Sequence, residues 1–382
     1  MTDGNQPRAF RLRRVDAFVF RVPLQSPVRT SFGTMRDRPA VLVRVTDPDG
    51  AEGWGEVWCN FPSVGAEHRA RLVRSVLAPA AVDRDWDTPE DCFDALSQQT
   101  AVLAIQSGEP GPLAQAIAGI DTAVWDLLSR KAGIPLWRYL GGRSDRIPVY
   151  ASGLNPDAPE RIAAACQAAG HRAFKLKVGF GPDRDLENLT ALRRALGDEA
   201  TLMVDANQAW TPPEAAAMLP ALEPFRLGWL EEPLRADRPW SDWLALRDTG
   251  RTPLAAGENL AGHAAFDEAI AAGVLTVVQP DLAKWGGISA GLPVARRILA
   301  AGLRYCPHYL GAGIGLLASG HLLAAAGGDG WLEVDSNPNP LRTALWGPLG
   351  EVEAGFSVLG SAPGLGPAPA LDALARWAVT GG

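Results

Sequence analysis

Two lysines and six further ionisable residues recur at nearly regular intervals through the second half of this sequence. Lys175 and Lys177 lie in one short apolar run, and alternate side chains of a strand share a face, so both ammonium groups should point the same way. Beyond Lys177, one apolar run after another ends in an ionisable residue, at steps of 23 to 28 residues. These residues are Asp205, Glu231, Glu258, Asp281, His308 and Glu333.

Three successive members of this series are carboxylates, Asp205, Glu231 and Glu258, and they predict a metal site. Neighbouring strands would bring them to one point, where their charges repel each other unless a cation lies between them. Ligation by oxygen alone favours Mg²⁺ over zinc. A single carboxylate could equally cap the helix that follows it, but three in succession favour the metal.

The other members of the series predict acid–base chemistry. A like charge nearby lowers the pKa of a lysine, so Lys177 is the candidate base and Lys175 the neighbour that tunes it. Asp281 would orient His308 and stabilise its imidazolium form. We expect removal of a proton next to a carboxylate group, with Mg²⁺ and a protonated Glu333 stabilising the enediolate.

The spacing also predicts the fold that positions these groups. Ser152 ends a further apolar run before Lys177, which makes eight strand ends separated by helix-like segments. Reactive groups at the carboxyl ends of eight such strands are typical of a β/α barrel. At about 45° per strand, Lys177 and His308 face each other across the barrel axis. The predicted barrel helices are 183–196, 213–222, 240–247, 263–272, 288–301 and 315–326.

Before residue 147 the pattern differs, because strands come first and helices follow, which predicts an α+β domain over 1–146. The barrel then occupies 147–355, and a C-terminal segment, 356–382, packs back on the N-terminal domain. The predicted strands are 11–24 and 39–58, and the clearest helix is 114–131.

Candidate substrate-binding residues lie in two stretches that are predicted to be irregular, 26–37 and 58–65, and beside barrel strand ends. From the two stretches we select Arg29, Thr30, Ser31, Trp58 and Asn60. From the strand ends we select Asn207 and Tyr309.

Composition narrows the possible partners. A formal net charge of −7 argues against nucleic acid. Four widely spaced cysteines predict reduced thiols, and the polar, basic N-terminus has no apolar signal segment, so we expect a cytoplasmic location. The uncharged stretch 310–327 is long enough to span a membrane, but its glycine, alanine and His321 favour a buried helix, and no membrane association is expected.

The sequence resembles the enolase superfamily, specifically its mandelate racemase subgroup. The resemblance covers most of the chain and rests on the segments 120–127, 175–177, 204–207, 231–233, 257–259, 280–281, 286–287, 306–308 and 332–335. It implies a (β/α)₇β barrel, similar to a TIM barrel, with the N-terminal α+β domain as a cap whose two loops close over the substrate. It further implies Mg²⁺ on Asp205, Glu231 and Glu258, with Lys177 and the His308–Asp281 pair as bases.

Within that subgroup the reaction stays open from the sequence. The carboxylate at position 281 disfavours the cycloisomerase and dipeptide epimerase relatives, which have lysine there, and we place Lys284 at the periphery. The leading hypothesis is dehydration of a sugar acid to a 2-keto-3-deoxy acid, and the alternative is racemisation or epimerisation of a 2-substituted carboxylate. Phe61 and Trp285, with Trp58 and Tyr309, would make the pocket apolar and favour that alternative.

A third hypothesis is a binding protein that keeps the fold without catalysis, although none of the predicted barrel groups is missing. In each case the expected partner is a small-molecule carboxylate, and we expect the chain to form a homo-oligomer.

Overall fold

The computed structural model describes residues 9–30 and 33–379, except for the side chains of residues 25, 26, 29 and 30. The N-terminal domain begins with β1 (Phe10–Arg11), which pairs with β5 (Asp85–Trp86). Its main sheet contains three antiparallel strands, β2 (Arg14–Thr30), β3 (Gly33–Thr46) and β4 (Glu52–Val57). The helices are α1 (Gly65–Leu72), α2 (Ala78–Ala81), α3 (Pro89–Ser107), α4 (Pro110–Lys131) and α5 (Leu136–Tyr139).

Strand β3 alternates between two cores, as the period of two requires. Val41, Val43 and Val45 join the core of the N-terminal domain, whereas Ala40 and Leu42 face the larger core shared with the barrel. This sheet therefore connects the two domains through its two faces.

The stretch 26–37, predicted to be irregular, lies largely in a β-hairpin instead. Val28 pairs with Met35, and the pairing continues to Thr30 and Gly33, after a bulge that follows Pro23. Val28 and Met35 are the buried apolar side chains described in this hairpin, too few for the apolar alternation by which a strand is recognised in a sequence.

Eight parallel strands of the described chain form the barrel, which confirms the predicted (β/α)₇β fold. They are β6 (Arg146–Leu154), β7 (Ala173–Lys177), β8 (Thr201–Asp205), β9 (Leu230–Glu231), β10 (Leu254–Ala256), β11 (Val277–Val278), β12 (Arg304–Tyr305) and β13 (Leu332–Asp335). From β6 to β12 each strand pairs with the next, and β13 pairs with β6. Strands β12 and β13 meet where the Trp331 N–H lies 3.4 Å from Cys306 Sγ.

Seven helices connect these strands, and several begin at proline, which suits a first helical turn. They are α6 (Pro159–Ala168), α7 (Pro182–Leu196), α8 (Pro212–Leu222), α9 (Trp240–Arg247), α10 (His263–Ala271), α11 (Gly287–Ala300) and α12 (Gly313–Ala326). Helix α12 falls in the uncharged stretch 310–327 and is almost wholly buried. Among the described residues, no helix is long and apolar enough to cross a membrane.

An apolar plug fills the barrel interior below the polar strand ends. Its largest members are Tyr150 and Trp229, whose rings meet edge to face at 5.4 Å, and Met203 packs with them. Two residues further along the same strands come Ser152, Glu231 and Asp205. The period of two therefore places every inward polar group above the plug, at the carboxyl end of the barrel.

The chain ends with α13 (Pro340–Thr343), β14 (Phe356–Val358) and α14 (Leu371–Leu374). Strand β14 pairs antiparallel with β6 of the barrel. Residues beyond it contact the N-terminal domain: the Leu136 N–H donates to Gly364 O at 2.8 Å and the Val379 N–H to Val19 O at 2.9 Å. All four cysteines are free thiols.

Candidate active site

The carboxyl ends of the barrel strands open into one cavity of about 220 Å³, roofed by the N-terminal domain. Lys177, Glu258, His308 and Glu333 lie in its wall. Its other lining residues are Val28, Trp58, Phe61, Ser152, Gly153, Asn155, Asn207, Gln208, Asn259, Lys284, Leu310, Asp335 and Asn337. The roof residues Val28, Trp58 and Phe61 come from the hairpin and from the loop after β4.

Both lysines of β7 point into the barrel and contact carboxylates. Lys175 is fully buried, with its Nζ 2.7 Å from both carboxylate oxygens of Glu231 and 2.8 Å from Glu333 Oε1. Lys177 reaches the cavity, and its Nζ lies 2.5 Å from Asp205 Oδ2. The side chains therefore share a face, as the period-two pattern predicts.

The lowered pKa that the sequence predicts for Lys177 is not found in this arrangement. Burial lowers the pKa of Lys177, and Lys175 lowers it too, but Asp205 and the other carboxylates raise it, and the net pKa is raised. The carboxylates also raise the pKa of Lys175 well above its ordinary value, against the opposing effect of burial. Repulsion between the two lysines is only one of the electrostatic effects that act on them, because in the folded barrel each lysine also lies against a carboxylate.

His308 lies between two carboxylates. Its Nδ1 is 2.8 Å from Asp281 Oδ2, which is the predicted pair, and its Nε2 is 2.7 Å from Glu258 Oε2. Burial lowers the pKa of His308, but Glu258, Glu333 and Asp281 together raise it well above its ordinary value. Asp281 itself is oriented by the Ala283 N–H, 2.8 Å away.

Glu333 is an ionised acceptor in this structure, not the protonated donor that we predicted. Burial raises its pKa, but Lys175 and His308 lower it further, to about 2. The Ser152 hydroxyl donates to the same carboxylate. A protonated Glu333 would require the loss of these cationic neighbours.

Asp205, Glu231 and Glu258 end three adjacent strands or begin the turns that follow them, and all three are buried or nearly so. Among residues 9–30 and 33–379, no three His, Cys, Asp or Glu side chains are gathered closely enough to hold a metal ion as they stand. The carboxylates instead bind ammonium and imidazole groups, so metal binding requires them to exchange these partners. The three carboxylates supply oxygen ligands only, and their negative charge is balanced by cations in this structure. Both features suit a hard divalent ion such as Mg²⁺.

The predicted substrate-binding residues separate into three groups. Trp58 and Asn207 line the cavity. Asn60 and Tyr309 do not: the Asn60 amide donates to Leu310 O at 2.6 Å, and Tyr309 is buried with its hydroxyl beside Glu56. The side chains of Arg29 and Thr30, and the whole of Ser31, lie outside the described residues.

Two further expectations about the pocket are wrong. Lys284, placed at the periphery from the sequence, lies in the cavity wall, where its Nζ is 3.0 Å from Glu258 Oε1. Trp285 points away and packs on Phe93 and Phe266. Adjacent residues in a turn point in different directions, and the apolar series does not indicate which of them faces the barrel.

A wall of amide side chains and a strained turn were not predicted from the sequence. Asn155, Gln208, Asn259 and Asn337 line the cavity together with Asn207. Asn207, Gln208 and Glu232 have φ angles of 44°, 64° and 40°, and the Gln208 N–H donates to Glu232 O at 2.7 Å. Strained non-glycine residues of this kind cluster at functional sites, but nothing in the residue types alone indicates the strain.

Comparison with known proteins agrees with this geometry. Residues 14–141 match the family model for the mandelate racemase / muconate lactonizing enzyme N-terminal domain, and residues 157–373 match the model described as enolase C-terminal domain-like. The chain belongs to the mandelate racemase/muconate lactonizing enzyme family of the enolase superfamily.

Two curated relatives in this superfamily are each 35% identical to the chain. One is the 3,6-anhydro-alpha-L-galactonate cycloisomerase of Streptomyces coelicolor, over 74% of this chain and 78% of the relative. The other is the L-talarate/galactarate dehydratase of Salmonella typhimurium, over 84% of this chain and 80% of the relative. Together with the conserved fold, these relatives identify the chain as an enolase-superfamily enzyme.

Two solved structures show the same fold. A mandelate racemase/muconate lactonizing enzyme from Bordetella bronchiseptica RB50 is 57% identical, with a TM-score of 0.92 over 96% of this chain and 99% of that one. An enolase from Bradyrhizobium, complexed with magnesium and mandelic acid, is 32% identical, with a TM-score of 0.85 over 100% of both chains.

Proposed function

We propose that this enolase-superfamily member removes the α-proton of a sugar acid and then expels the 3-hydroxyl group, giving a 2-keto-3-deoxy acid. The observation that carries the proposal is the wall of five amide side chains, Asn155, Asn207, Gln208, Asn259 and Asn337, in one cavity with Lys177 and His308. Each amide offers both a donor and an acceptor, which suits a chain of hydroxyl groups. Apolar side chains are confined to the roof and one edge.

Asp205, Glu231 and Glu258 are the residues that would hold Mg²⁺. When bound, the ion would bind the substrate carboxylate and stabilise the negative charge that develops on it. For this role Asp205 would release Lys177, and Glu258 would release Lys284 and His308. Lys175, in contact with Glu231 and Glu333, would remain as a buried cation beside the metal site. Fixed cations at the position where charge develops stabilise it without reorganisation.

Lys177 and His308 are the proton-transfer groups. They lie on the second and seventh strands of the barrel, so strands one and eight separate them on one side and strands three to six on the other. That spacing places them about 135° apart around the axis. Against the lowering effect of burial, Asp205 contributes most to the raised pKa of Lys177, so a role of Asp205 as metal ligand would weaken that attraction and favour the neutral amine. Lys177 then takes the α-proton, and His308, held by Asp281, delivers a proton to the departing hydroxyl group.

Racemisation of a 2-substituted carboxylate is a second candidate, because two proton-transfer groups on different sides of one cavity are also what inversion at Cα requires. The relative crystallised with mandelic acid carries an aromatic ligand of that class. The roof of Val28, Trp58 and Phe61 offers an aryl group a surface of comparable polarity.

A panel of three sugar acids and mandelate separates the two candidate reactions. The purified enzyme is incubated with Mg²⁺ and each of galactonate, arabinonate, galactarate and mandelate in D₂O, and proton NMR follows both Cα exchange and 2-keto acid formation. We expect 2-keto acid from at least one sugar acid and none after Mg²⁺ is removed by chelation. Exchange and inversion of mandelate without any 2-keto acid from the sugar acids would contradict dehydration in favour of racemisation.

A further inference from the structure

Lysine is rare in this chain, and its few positions are informative. Of the 36 lysine and arginine residues, only Lys131, Lys175, Lys177 and Lys284 are lysines. Arginine carries a broad, planar charge, whereas lysine is a compact cation with three donors. A chain that uses arginine almost everywhere therefore keeps lysine where the compact group is needed. Lys131 pairs with Asp47 on the N-terminal domain, and the other three lysines meet at the active site.

Lys284 is the lysine of this group that the proposed reaction does not use. Its side chain is only 13% exposed and lies between Trp58 of the roof and Glu258. The Nζ atom is 3.0 Å from Glu258 Oε1, 3.1 Å from Asn259 Oδ1 and 5.0 Å from the centre of the Trp58 ring. Two N–H groups of the ammonium have these acceptors, and the third is not used by either contact.

The contact with Glu258 is one that ligand binding would weaken. When Glu258 serves as a metal ligand, its negative charge is shared, and its attraction for the Lys284 ammonium falls. A desolvated ammonium needs oxygen partners, since burying a cation without them is costly. The cavity beside Lys284 is where a substrate would supply them, under the Trp58 ring and next to the Asn259 amide.

We propose that Lys284 is a specificity-determining residue that donates a hydrogen bond to an oxygen on the hydroxylated chain of the substrate. This inference rests on the proposed function, because it places a polyhydroxylated acid in the cavity. An apolar group in the same position would cover the ammonium without giving it an acceptor, so Lys284 selects against such substrates.

Binding measurements on the Mg²⁺-loaded enzyme test this role without relying on turnover. Isothermal titration calorimetry compares galactonate, which has a hydroxylated chain, with lactate, which has the same 2-hydroxy acid group and no such chain. The variants are Lys284→Met and, as a polar variant that folds if methionine is not tolerated, Lys284→Gln. Lys131→Met is the matched control, because it removes a lysine remote from the cavity.

We expect Lys284→Met and Lys284→Gln to weaken galactonate binding about ten- to hundred-fold, as the loss of a hydrogen bond from a charged donor does. Lactate binding should change less than about two-fold, and Mg²⁺ binding should not weaken, because the substitution removes a positive charge beside the metal site. Lys131→Met should leave all three affinities unchanged.

Three results would overturn the inference. In the first, wild-type enzyme binds galactonate no more tightly than lactate. In the second, the Lys284 variants bind both acids as the wild type does. In the third, the variants lose Mg²⁺ affinity by the same factor as galactonate affinity, which would mean that Lys284 acts only by supporting Glu258. The proposed function itself fails separately, if wild-type enzyme with Mg²⁺ exchanges no Cα proton of any acid in the panel.

Discussion

The barrel and the N-terminal domain both bury several carboxylates, but the partners of those carboxylates differ. In the barrel, Glu231 binds Lys175, Asp205 binds Lys177, and Glu258 binds Lys284 and His308. These partners are side-chain cations, most of them at the edge of one cavity.

In the N-terminal domain the partners are mainly backbone N–H groups of other elements. Glu56 accepts from Ala312 and Gly315, at 2.6 and 2.9 Å, where α12 begins. Asp121 accepts from Ile288 and Ser289, at 2.7 and 3.0 Å, where α11 begins. The first N–H groups of a helix have no partner within the helix, so these carboxylates cap two barrel helices from another domain.

The difference indicates two uses for the same chemical group. A side-chain cation can turn away when a ligand arrives, so the barrel carboxylates can change partners during binding and catalysis. A backbone amide at a helix start cannot move without disturbing the helix, so the carboxylates of the N-terminal domain hold the roof on the barrel. Substitutions in the first group should affect activity, and substitutions in the second should affect stability.

The largest expected effect belongs to the barrel group. Asp205→Asn should reduce the rate of Cα exchange roughly 10³-fold, because it removes a charge at the site where the intermediate is stabilised. The control is Asp198→Asn, which changes a surface carboxylate. Circular dichroism should report the wild-type secondary structure in both variants. Near-normal exchange in a folded, Mg²⁺-dependent Asp205→Asn enzyme would remove this carboxylate from the active group.

The second effect belongs to the N-terminal domain. Asp126 accepts from the Trp54 N–H at 2.8 Å, from the Leu365 N–H at 2.6 Å and from Arg130 at 2.7 Å. Asp126→Ala leaves these buried donors without an acceptor, which should lower the free energy of unfolding by about 3 kcal/mol. Urea unfolding measures this, with the exposed Asp372→Ala as control. A cost below about 1 kcal/mol, or loss of activity in a protein of normal stability, would break the distinction between the two groups.

The smallest effect depends on pH. Burial raises the pKa of Asp121 to about 7, against the hydrogen bonds from Ser289 and Ile288 that lower it. Because this pKa is raised above that of the unfolded chain, the stabilising contribution of the neutral form is lost as pH rises from about 4 to about 7. Asp121→Asn keeps an acceptor for the helix but cannot ionise.

The stability of Asp121→Asn relative to wild type should therefore increase by about 1 kcal/mol per pH unit across that range. Urea unfolding of both proteins at pH 5 and pH 7 checks this. An equal stability difference at the two pH values would show that Asp121 keeps the same ionisation state when the protein unfolds.

The barrel and its reactive positions follow from the sequence because each strand end repeats one local pattern. Ala173 belongs to the plug, and Lys175 and Lys177 lie on the same face of that strand because alternate side chains point the same way. This direction can be predicted without knowing any tertiary contact. The same argument applies from Met203 to Asp205 and from Trp229 to Glu231. The period of two along each strand and the change from apolar to ionisable residues at its end are together sufficient to predict which residues face the barrel interior.

The rest depends on contacts between distant segments. Tyr309 follows His308, but Glu56 from the N-terminal domain lies beside its hydroxyl and the ring is buried. Lys284 and Trp285 are adjacent, yet one faces the cavity and the other packs on helix α3. The charge state of Glu333 likewise depends on Lys175 and His308, from two other strands. None of these relations has a local signal in the sequence.

The most direct test of the central claim, proton transfer from two sides of one cavity, uses an epimeric pair of acids. Galactonate and talonate differ only at C2, so each presents its α-proton to one side. Deuterium incorporation at Cα is measured by NMR, with Mg²⁺, for Lys177→Ala and His308→Asn. The account predicts that each variant loses exchange of a different epimer and keeps exchange of the other. Loss of the same epimer in both variants would contradict it, and a single base would have to replace the pair.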